Sequence, residues 1–229
     1  MLKLVIGNKN YSSWSMRPWV LLTQAAIPFE EVPIWLAESD TAPNIARYSP
    51  TGTVPVLLDG DLKVWDSLAI CEYLAEKFPE KYLWPRDTAL RAVARAVSAE
   101  MHSGFTALRA NMPMNIRNRY PGMGMHAEVA AAVSADIARV SALWSECVAR
   151  SGGPYLFGAF SIADAMFAPV VFRLRTYGVA LQGNADGNVD GNAAAEYARR
   201  MLATPALVKL DQLAAAEGHA QARYDSKYG

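Results

Sequence analysis

Hydroxyl side chains cluster in residues 10–17 (NYSSWSMR), between an apolar segment of strand length and a helical pattern. Free N–H groups and the helix dipole favour negative charge at the beginning of a helix. Ser12 or Ser13 is therefore placed to donate a hydrogen bond to a bound anion. The alternative is that these serines only cap the helix, which is a common role for serine.

Val54-Pro55 stands where a short strand is predicted to open, a position that tolerates the missing N–H of proline. If the peptide groups of Val54 face outward, they can pair with an extended, peptide-like ligand as an added strand would. The alternative is an ordinary strand-opening proline, and the rarity of cis X-Pro bonds favours a trans bond. Both interpretations remain open from these two residues alone.

Asp66-Ser67 directly precedes a second helical pattern. Ser67 offers a hydroxyl and a backbone N–H to a carboxylate, and Asp66 can bind an ammonium group. The pair therefore matches the two charged ends of an α-amino acid. Capping of the helix is the competing interpretation, because Asp and Ser are both favoured at helix N-termini.

Composition argues against several classes of function. The chain of 229 residues has 22 basic and 22 acidic side chains, without the basic excess typical of nucleic-acid binders. No apolar run approaches the roughly 20 residues that cross a bilayer. The two cysteines are far apart and the three histidines are scattered, so no metal site is predicted. We expect a cytoplasmic protein without nucleic-acid or membrane partners.

The segment 186–191 (DGNVDG) begins like a calcium-binding loop. Tyr197 stands at the loop position where the closing glutamate is required, and Glu196 comes one residue early. The segment is therefore predicted to be a connector.

Residues 1–83 alternate short strands with helices, which predicts an α/β domain with a small mixed sheet. An Asp59-Gly60 turn joins the last two strands. The strands are expected at Leu2–Ile6, Phe29–Ile34, Val54–Leu58 and Leu62–Trp65, and the helices at Ser15–Ala26 and Ser67–Phe78, with a short helix or loop at Thr41–Tyr48.

Residues 88–229 lack strand patterns and predict a second, all-helical domain. Pro79 and Pro85 interrupt the pattern between the two parts. The helices are expected at Thr88–Ile116, Ala127–Arg150, Ser161–Tyr177, Ala193–Ala203 and Pro205–Glu217. Ser161 and Asp164 have the spacing of a capping box and are assigned to folding.

In this order and spacing, the motifs resemble those of soluble glutathione transferases, and of the maleylacetoacetate isomerase-like zeta class most closely. Residues 12–17 (SSWSMR) are similar to the Ser-Ser-Cys-Ser-x-Arg stretch of that class. Residues 53–57 (TVPVL) resemble the family's Val-Pro strand, whose proline is cis. Residues 66–70 (DSLAI) resemble the Glu/Gln-Ser-x-Ala-Ile segment that holds the γ-glutamyl end of glutathione.

The resemblance implies a thioredoxin-like N-terminal domain with a mixed four-stranded sheet, followed by the all-α domain. It implies glutathione as co-substrate, a small electrophile as second substrate, and a homodimer. Ser12 would be the catalytic residue that stabilises the glutathione thiolate. Val54 and Pro55 would bind the cysteinyl backbone, and Asp66 and Ser67 the γ-glutamyl end.

The sequence departs from the family pattern at two of these positions and leaves a third group unassigned. Trp14 replaces the zeta-class cysteine, and Asp66 is shorter than the usual Glu or Gln. Residues 35–40 offer no Lys or His for the glycine carboxylate of glutathione. Tyr11 lies closer to Arg17 than the tyrosine of tyrosine-type classes lies to its arginine, so it ranks below the serines. Arg17 itself is expected to form a salt bridge within the fold.

The pocket for the second substrate is expected between the loop at residues 8–14 and the first long helix. Residues near helical spacing on that helix are Met101, His102, Phe105, Arg109 and Met112. The alternative is that the apolar ones belong to the core or to a dimer contact. Arg109 would suit an anionic substrate.

Two other classes of function compete with this hypothesis. A non-catalytic binding or regulatory relative is disfavoured by the intact set of motifs. A thioredoxin-type redox protein is disfavoured because residues 12–14 contain no nucleophilic cysteine.

Overall fold

The computed structural model describes residues 1–181 and 192–225. Its sheet has four strands in the order β2-β1-β3-β4. β1 is parallel to β2 and antiparallel to β3, and β3 and β4 form an antiparallel hairpin. The predicted mixed sheet is therefore confirmed. The strands are β1 (Leu2–Ile6), β2 (Phe29–Pro33), β3 (Val56–Asp59) and β4 (Leu62–Val64).

Three α-helices accompany the sheet, followed by one 3₁₀ turn. α1 begins two residues before the predicted start, because the Ser12 side chain already caps it. The ambiguous segment after β2 forms a short helix. The elements are α1 (Ser13–Gln24), α2 (Thr41–Ala46), α3 (Ser67–Lys77) and the 3₁₀ turn Pro79–Lys81.

Seven further helices follow within the described residues. They are α4 (Thr88–Ser103), α5 (Thr106–Asn111), α6 (Ala130–Ser151), α7 (Ile162–Thr176), α8 (Ala193–Leu202), α9 (Pro205–Ala216) and α10 (Ala222–Asp225). The segment 186–191, predicted to be a connector, lies outside the described residues.

The single helix predicted over Thr88–Ile116 is wrong, because the chain turns at Gly104 and Phe105. Phe105 has a φ of 55°, in the left-handed region that ends a helix. A Cβ added at Gly104 would lie 2.7 Å from the carbonyl oxygen of Glu100, so only glycine fits there. The second segment, α5, ends before Pro113, which disfavours helical backbone in the residue that precedes it.

One apolar core is continuous across both halves of the chain. It includes Trp19 of α1 and Phe167 of α7, and these two helices pack directly against each other. The predicted domain division, residues 1–83 and 88–229, falls between the 3₁₀ turn and α4 and remains a prediction. The contact between α1 and α7 brings the start of α1 beside the helical half.

The start of α7 is held by the predicted capping box. Asp164 accepts hydrogen bonds from the backbone N–H of Ser161 at 2.8 Å and from its hydroxyl at 3.0 Å. The N–H of Leu156 donates to the other carboxylate oxygen at 3.1 Å. Burial raises the pKa of Asp164 to about 6. The structural assignment of this motif is confirmed.

No helix among the described residues has the length and apolar character required to cross a membrane. In the same part of the chain, no three His, Cys, Asp or Glu side chains converge as metal ligands. Cys71 and Cys147 are both free and buried.

Candidate functional site

A cavity of about 640 Å³ opens where the start of α1 meets α5 and α7. It combines hydroxyl groups, aromatic rings, aliphatic side chains and two guanidinium groups. Its lining residues are Tyr11, Ser12, Ser13, Trp14, Leu36, Thr106, Arg109, Ala110, Pro113, Met114, Arg173 and Tyr224. The expected pocket between the loop at residues 8–14 and the helical half is thus present.

Ser12 lines this cavity and also caps α1. Its side-chain oxygen lies 3.4 Å from the backbone N–H of Ser15, which donates to it. Its hydroxyl donates to Oγ of Ser15 at 2.8 Å, and that oxygen also accepts the N–H of Gly7 at 3.0 Å. Ser12 is only 7% exposed. The capping alternative is therefore present in the structure, in a residue that also faces the cavity.

Ser13 is the first residue of α1 and is half-buried at the cavity wall. Its Oγ accepts a hydrogen bond from Nη2 of Arg173, over 3.4 Å. Arg173 belongs to α7, so this contact joins the two halves of the chain across the cavity. Ser12 and Ser13 thus differ in their partners, although they are adjacent.

The Val54–Pro55 peptide bond is cis. The trans bond predicted from the rarity of cis X-Pro bonds is wrong, and the cis bond agrees with the resemblance to the family's Val-Pro strand. The paired residues of β3 begin at Val56, so Val54 lies just outside the β1–β3 ladder. Val54 is half-buried and Pro55 is buried. Neither residue belongs to the lining of the cavity.

Asp66 caps α3 and contacts a histidine of α4. One of its carboxylate oxygens accepts the N–H groups of Leu68 at 3.0 Å and Ala69 at 3.2 Å. The other lies 2.8 Å from Nε2 of His102. Burial lowers the pKa of His102. Asp66 raises this pKa, while the positive charges of Arg17 and Arg109 lower it further. His102 is therefore a neutral N–H donor to Asp66 at neutral pH.

Ser67 is fully buried in this structure. Its hydroxyl oxygen lies 3.5 Å from Nη1 of Arg17, which donates to it. Its side chain therefore faces the protein interior, and Ser67 does not belong to the lining of the cavity.

Trp14 connects the cavity with Asp66 and Ser67. The guanidinium carbon of Arg17 lies 4.3 Å from the centre of a Trp14 ring, and that of Arg109 lies 4.7 Å away. Both distances are within the range of cation–π attraction. The ring of His102 contacts Trp14 edge-on at 5.3 Å between centroids. The partners of Asp66 and Ser67 therefore both pack on one wall residue of the cavity.

Arg17, Arg109 and Arg173 form a cluster of positive charge without a carboxylate partner among the described residues. The expected salt bridge of Arg17 is wrong, because burial places its guanidinium against the carbonyl oxygen of Met166, at 3.3 Å, and Ser67. Burial, with repulsion from Arg173 and Arg109, lowers the pKa of Arg17 to about 9. Burial and Arg109 lower the pKa of Arg173 to about 10. All three arginines remain charged at neutral pH.

Tyr11 lines the cavity, but its hydroxyl is held by the C-terminal segment. It donates to Asp225 at 2.6 Å and accepts from Nη2 of Arg117 at 2.6 Å and from the N–H of Gln221 at 3.1 Å. Burial, followed by the hydrogen bond to Asp225, raises the pKa of Tyr11. These contacts favour a structural role for the hydroxyl.

The apolar residues of the first long helical segment belong to the core. Met101, Phe105 and Met112 are each buried. The core alternative is therefore confirmed for these three. Arg109 reaches the cavity, while His102 contacts Asp66 and Trp14 beside it.

Sequence reasoning missed seven residues of the cavity wall, among them Arg173 and Tyr224. Arg173 had a usable signal, because it interrupts an almost continuous apolar run that could only be a buried helix. A basic residue inside such a helix needs a partner or a functional role. Tyr224 had no such signal, since its position depends on the path of the chain after α9.

Family models match two parts of this chain. The model of the glutathione S-transferase N-terminal domain matches residues 8–82, and the model of the C-terminal domain matches residues 127–200. The chain belongs to the glutathione S-transferase family. The resemblance inferred from the motifs is confirmed at the level of the family, and the assignment of Ser12 as the catalytic residue remains a prediction.

Curated relatives of this family member include zeta-class proteins. Glutathione S-transferase Z1 of Arabidopsis thaliana is 40% identical over 102 residues, which are 42% of this chain and 46% of the relative. A zeta-class glutathione S-transferase of Euphorbia esula is 36% identical over 92 residues, 40% of this chain and 41% of the relative. The chain thus matches slightly less than half the length of these relatives.

A solved structure supports the fold over nearly the whole chain. A glutathione transferase homologue from Sulfitobacter, crystallised with bound glutathione, has a TM-score of 0.67 to this family member. The two are 23% identical, and the likeness covers 93% of this chain and 97% of that one. At this identity the similarity establishes a shared fold, a thioredoxin-like sheet domain with a helical C-terminal half.

Proposed function

We propose that this family member is a glutathione transferase that holds glutathione as a thiolate at the start of α1. The thiolate then attacks a small electrophile in the adjacent cavity, either forming a conjugate or adding reversibly during an isomerisation. The observation that carries the proposal is the presence of Ser12, at a helix N-terminus, in the wall of the cavity between α1, α5 and α7. A helix N-terminus favours an anion, and a serine hydroxyl can donate to sulfur.

The energy available from such a site is sufficient for thiol activation. A free cysteine thiol has a pKa of about 8.5, and only the thiolate is nucleophilic. Lowering that pKa by about two units requires about 2.7 kcal/mol of preferential stabilisation of the anion. A hydrogen bond to a charged group contributes about 1.5–3 kcal/mol. One hydroxyl at a helix N-terminus therefore meets the requirement without a general base.

Glutathione binding is inferred for Val54, Pro55, Asp66 and Ser67. Val54 lies just outside the strand ladder, where its peptide groups suit the cysteinyl backbone of glutathione. Asp66 carries the charge that an ammonium group requires, and the positive end of the α3 dipole, at Ser67, favours the γ-glutamyl carboxylate. The named Sulfitobacter homologue, which binds glutathione, has the same fold.

The second substrate is inferred to be small and to carry an acidic group. The cavity has aliphatic and aromatic walls, and Arg109 contributes a charge without a carboxylate partner among the described residues. Its guanidinium group donates hydrogen bonds to two backbone carbonyls, those of His102 at 3.3 Å and Gly104 at 3.2 Å. We also infer that the protein is a homodimer. A reducing, cytoplasmic setting is inferred separately, because it suits the two free, buried cysteines.

Substitution of Ser12 by Ala tests the assignment. We expect conjugation of glutathione to 1-chloro-2,4-dinitrobenzene to fall by at least about tenfold at neutral pH, the effect of losing about 1.4 kcal/mol. Glutathione should still bind, as measured by isothermal titration calorimetry. Unchanged turnover would exclude Ser12 as the activating residue.

The competing hypothesis is a non-catalytic binding protein of the same family. It predicts retention on immobilised glutathione together with no turnover of any electrophile by the unmodified protein. The hydroxyl groups and charges that face the cavity favour catalysis.

A further inference from the structure

We propose that Ser13 is a second hydroxyl donor to the glutathione sulfur and that Arg173 is the positioning residue that strengthens it. This inference rests on the proposed function and deepens it, because it adds a catalytic group and a source of charge. In the proposed arrangement the guanidinium donates to Oγ of Ser13, and the Ser13 hydroxyl donates to the thiolate. The thiol proton leaves to solvent, and Ser13 stays protonated throughout.

The first argument concerns the hydroxyl of Ser12, which already has an acceptor. It donates to Oγ of Ser15 at 2.8 Å, within the cap of α1. Donation to a ligand requires Ser12 to give up that bond. A hydroxyl has one hydrogen to donate, so Ser12 cannot serve Ser15 and a sulfur atom at once.

Ser13 has the opposite arrangement. Its oxygen accepts from Nη2 of Arg173 at 3.4 Å, and its hydroxyl hydrogen has no acceptor among the described residues. It is half-buried in the cavity wall, one residue beyond the proposed thiol-activating position. Ser13 is therefore ready to donate into the cavity without breaking an existing bond.

Arg173 supplies a fixed charge behind this hydroxyl. Its Nε donates to the carbonyl oxygen of Met112 at 2.8 Å, which orients the guanidinium group. Its side chain is buried, and it has no carboxylate partner among the described residues. A charged donor to Oγ polarises the O–H bond of Ser13. The Ser13 hydroxyl is then a stronger donor, because successive hydrogen bonds in a chain strengthen one another.

The positive cluster also acts directly on the sulfur. An opposite charge near an ionisable group favours its charged form, so the thiolate is preferred over the thiol. Arg109 lines the same cavity and adds to this potential. Arg173 therefore has two effects on glutathione: one through Ser13, which depends on the hydroxyl, and one through space.

The test measures the pKa of bound glutathione from the ultraviolet absorbance of the thiolate in the complex. We expect Ser13→Ala to raise this pKa by about one unit, equivalent to about 1.4 kcal/mol. Arg173→Met should raise it by at least as much. In the double variant, Ser13→Ala with Arg173→Met, the thiol pKa should rise by less than the sum of the two single rises. The reason is that both substitutions remove the same hydrogen-bond relay through Ser13.

Two controls separate this role from damage to the fold. Ser103→Ala removes an exposed hydroxyl at the end of α4, and Arg175→Met removes an arginine of α7 that pairs with Asp211 at 2.6 Å. Both should leave the thiol pKa unchanged. Arg173→Lys keeps the charge and should restore part of the shift if the methionine variant folds poorly. Ser13→Ala is safe for folding, because alanine is a favourable helix residue.

The outcomes distinguish the two proposals. If the unmodified protein binds glutathione and Ser13→Ala leaves the thiol pKa unchanged, the role of Ser13 is excluded while the proposed function stands. Strict additivity of the two substitutions would exclude the relay from Arg173 to Ser13. If the unmodified protein does not bind glutathione, both proposals fail together.

Discussion

At the residue scale, neighbouring side chains in one loop have different tasks that their types alone do not reveal. Tyr11, Ser12 and Ser13 all line the cavity and all carry hydroxyl groups. The hydroxyl of Tyr11 is held by Arg117 and Asp225. Ser12 caps α1, while Ser13 contacts Arg173. The partners that each oxygen meets, rather than its chemistry, decide which hydroxyl is free to act on a ligand.

Tyr11→Phe is expected to lower stability and to leave thiol activation intact. The substitution removes three hydrogen bonds and leaves Arg117 without one of its acceptors, so the free energy of unfolding should fall by about 1–3 kcal/mol. Denaturation by urea measures this difference. Tyr82→Phe, at a tyrosine that is 53% exposed, is the matched control. A raised pKa of bound glutathione in Tyr11→Phe would instead implicate Tyr11 in activation.

The raised pKa of Tyr11 also predicts a pH dependence. The folded state favours the neutral phenol, so its contribution to stability is complete below the unfolded pKa, near 10. It is lost as the pH rises from that value through the folded pKa. The stability difference between the native protein and Tyr11→Phe should therefore shrink above pH 10 in thermal unfolding experiments.

At the element scale, two helix N-termini organise the proposed glutathione site. α1 begins after Ser12, and α3 begins after Asp66. α1 follows β1 and α3 follows β4, and these two strands run in the same direction because both are antiparallel to β3. The two helices therefore begin at the same end of the sheet. The cap of α3 also has a tertiary contact, because Asp66 contacts His102 of α4. One carboxylate thus orients a helix and joins it to the helical half.

Substitutions of Asp66 separate its capping role from its proposed charge recognition. Asp66→Asn keeps an oxygen for the N–H groups of Leu68 and Ala69 but removes the negative charge. It should lower stability by about 0.5–1.5 kcal/mol, because the amide replaces the oxygen that accepts from His102. It should weaken glutathione binding about tenfold, the equivalent of about 1.4 kcal/mol. Asp66→Ala should lower stability by about 1 kcal/mol more than Asp66→Asn, since the cap is also lost.

Calorimetry of glutathione binding and urea denaturation measure these two effects separately. Asp87→Asn is the control, since Asp87 caps the start of α4 in the same manner and does not line the cavity. Equal glutathione affinity in Asp66→Asn and the unmodified protein would mean that Asp66 acts only as a cap.

At the scale of the whole molecule, the cavity exists because the two halves share one core. The packing of α1 against α7 places the start of the first helix beside Arg173. The break between α4 and α5 turns Arg109 toward the same space. The sheet domain therefore supplies the proposed thiol site, and the helical half supplies charge for the second substrate.

Arg109→Met is expected to change selectivity between acidic and neutral electrophiles. A suitable pair is 4-chloro-3-nitrobenzoate and its methyl ester, which differ in charge at one group. The substitution should lower kcat/KM for the acid by about tenfold or more, because a charge-assisted hydrogen bond is lost. The ester should change by less than about threefold, since it carries no charge.

Arg139→Met is the matched control for this experiment, since Arg139 pairs with Glu100 at 2.7 Å on an exposed surface. It should leave kcat/KM unchanged for both the acid and the ester. An equal loss for acid and ester in Arg109→Met would show that Arg109 shapes the cavity without recognising charge.

Local patterns predicted much of the first half of the chain. The Asp59-Gly60 turn joins β3 and β4 as expected, and Asp66 and Ser161 begin helices as their types predict. The break at Gly104 and Phe105 was missed, because an isolated glycine in a helical pattern is also compatible with a continuous helix. The partner of Arg17 was missed because the acceptor, the carbonyl of Met166, lies far along the chain.

The sequence by itself determined the family, the order of the strands and of most helices, and the residue types at the proposed glutathione site. These properties depend on residues that are close together in the chain. Local backbone preferences and hydrophobic periodicity can be read from such short segments. Within the described residues, the tertiary structure decided which hydroxyl has a free hydrogen, which arginines of the cavity lack carboxylate partners, and where the cavity lies. Those properties depend on contacts between residues as distant as Ser13 and Arg173, which are set by the packing of α1 on α7.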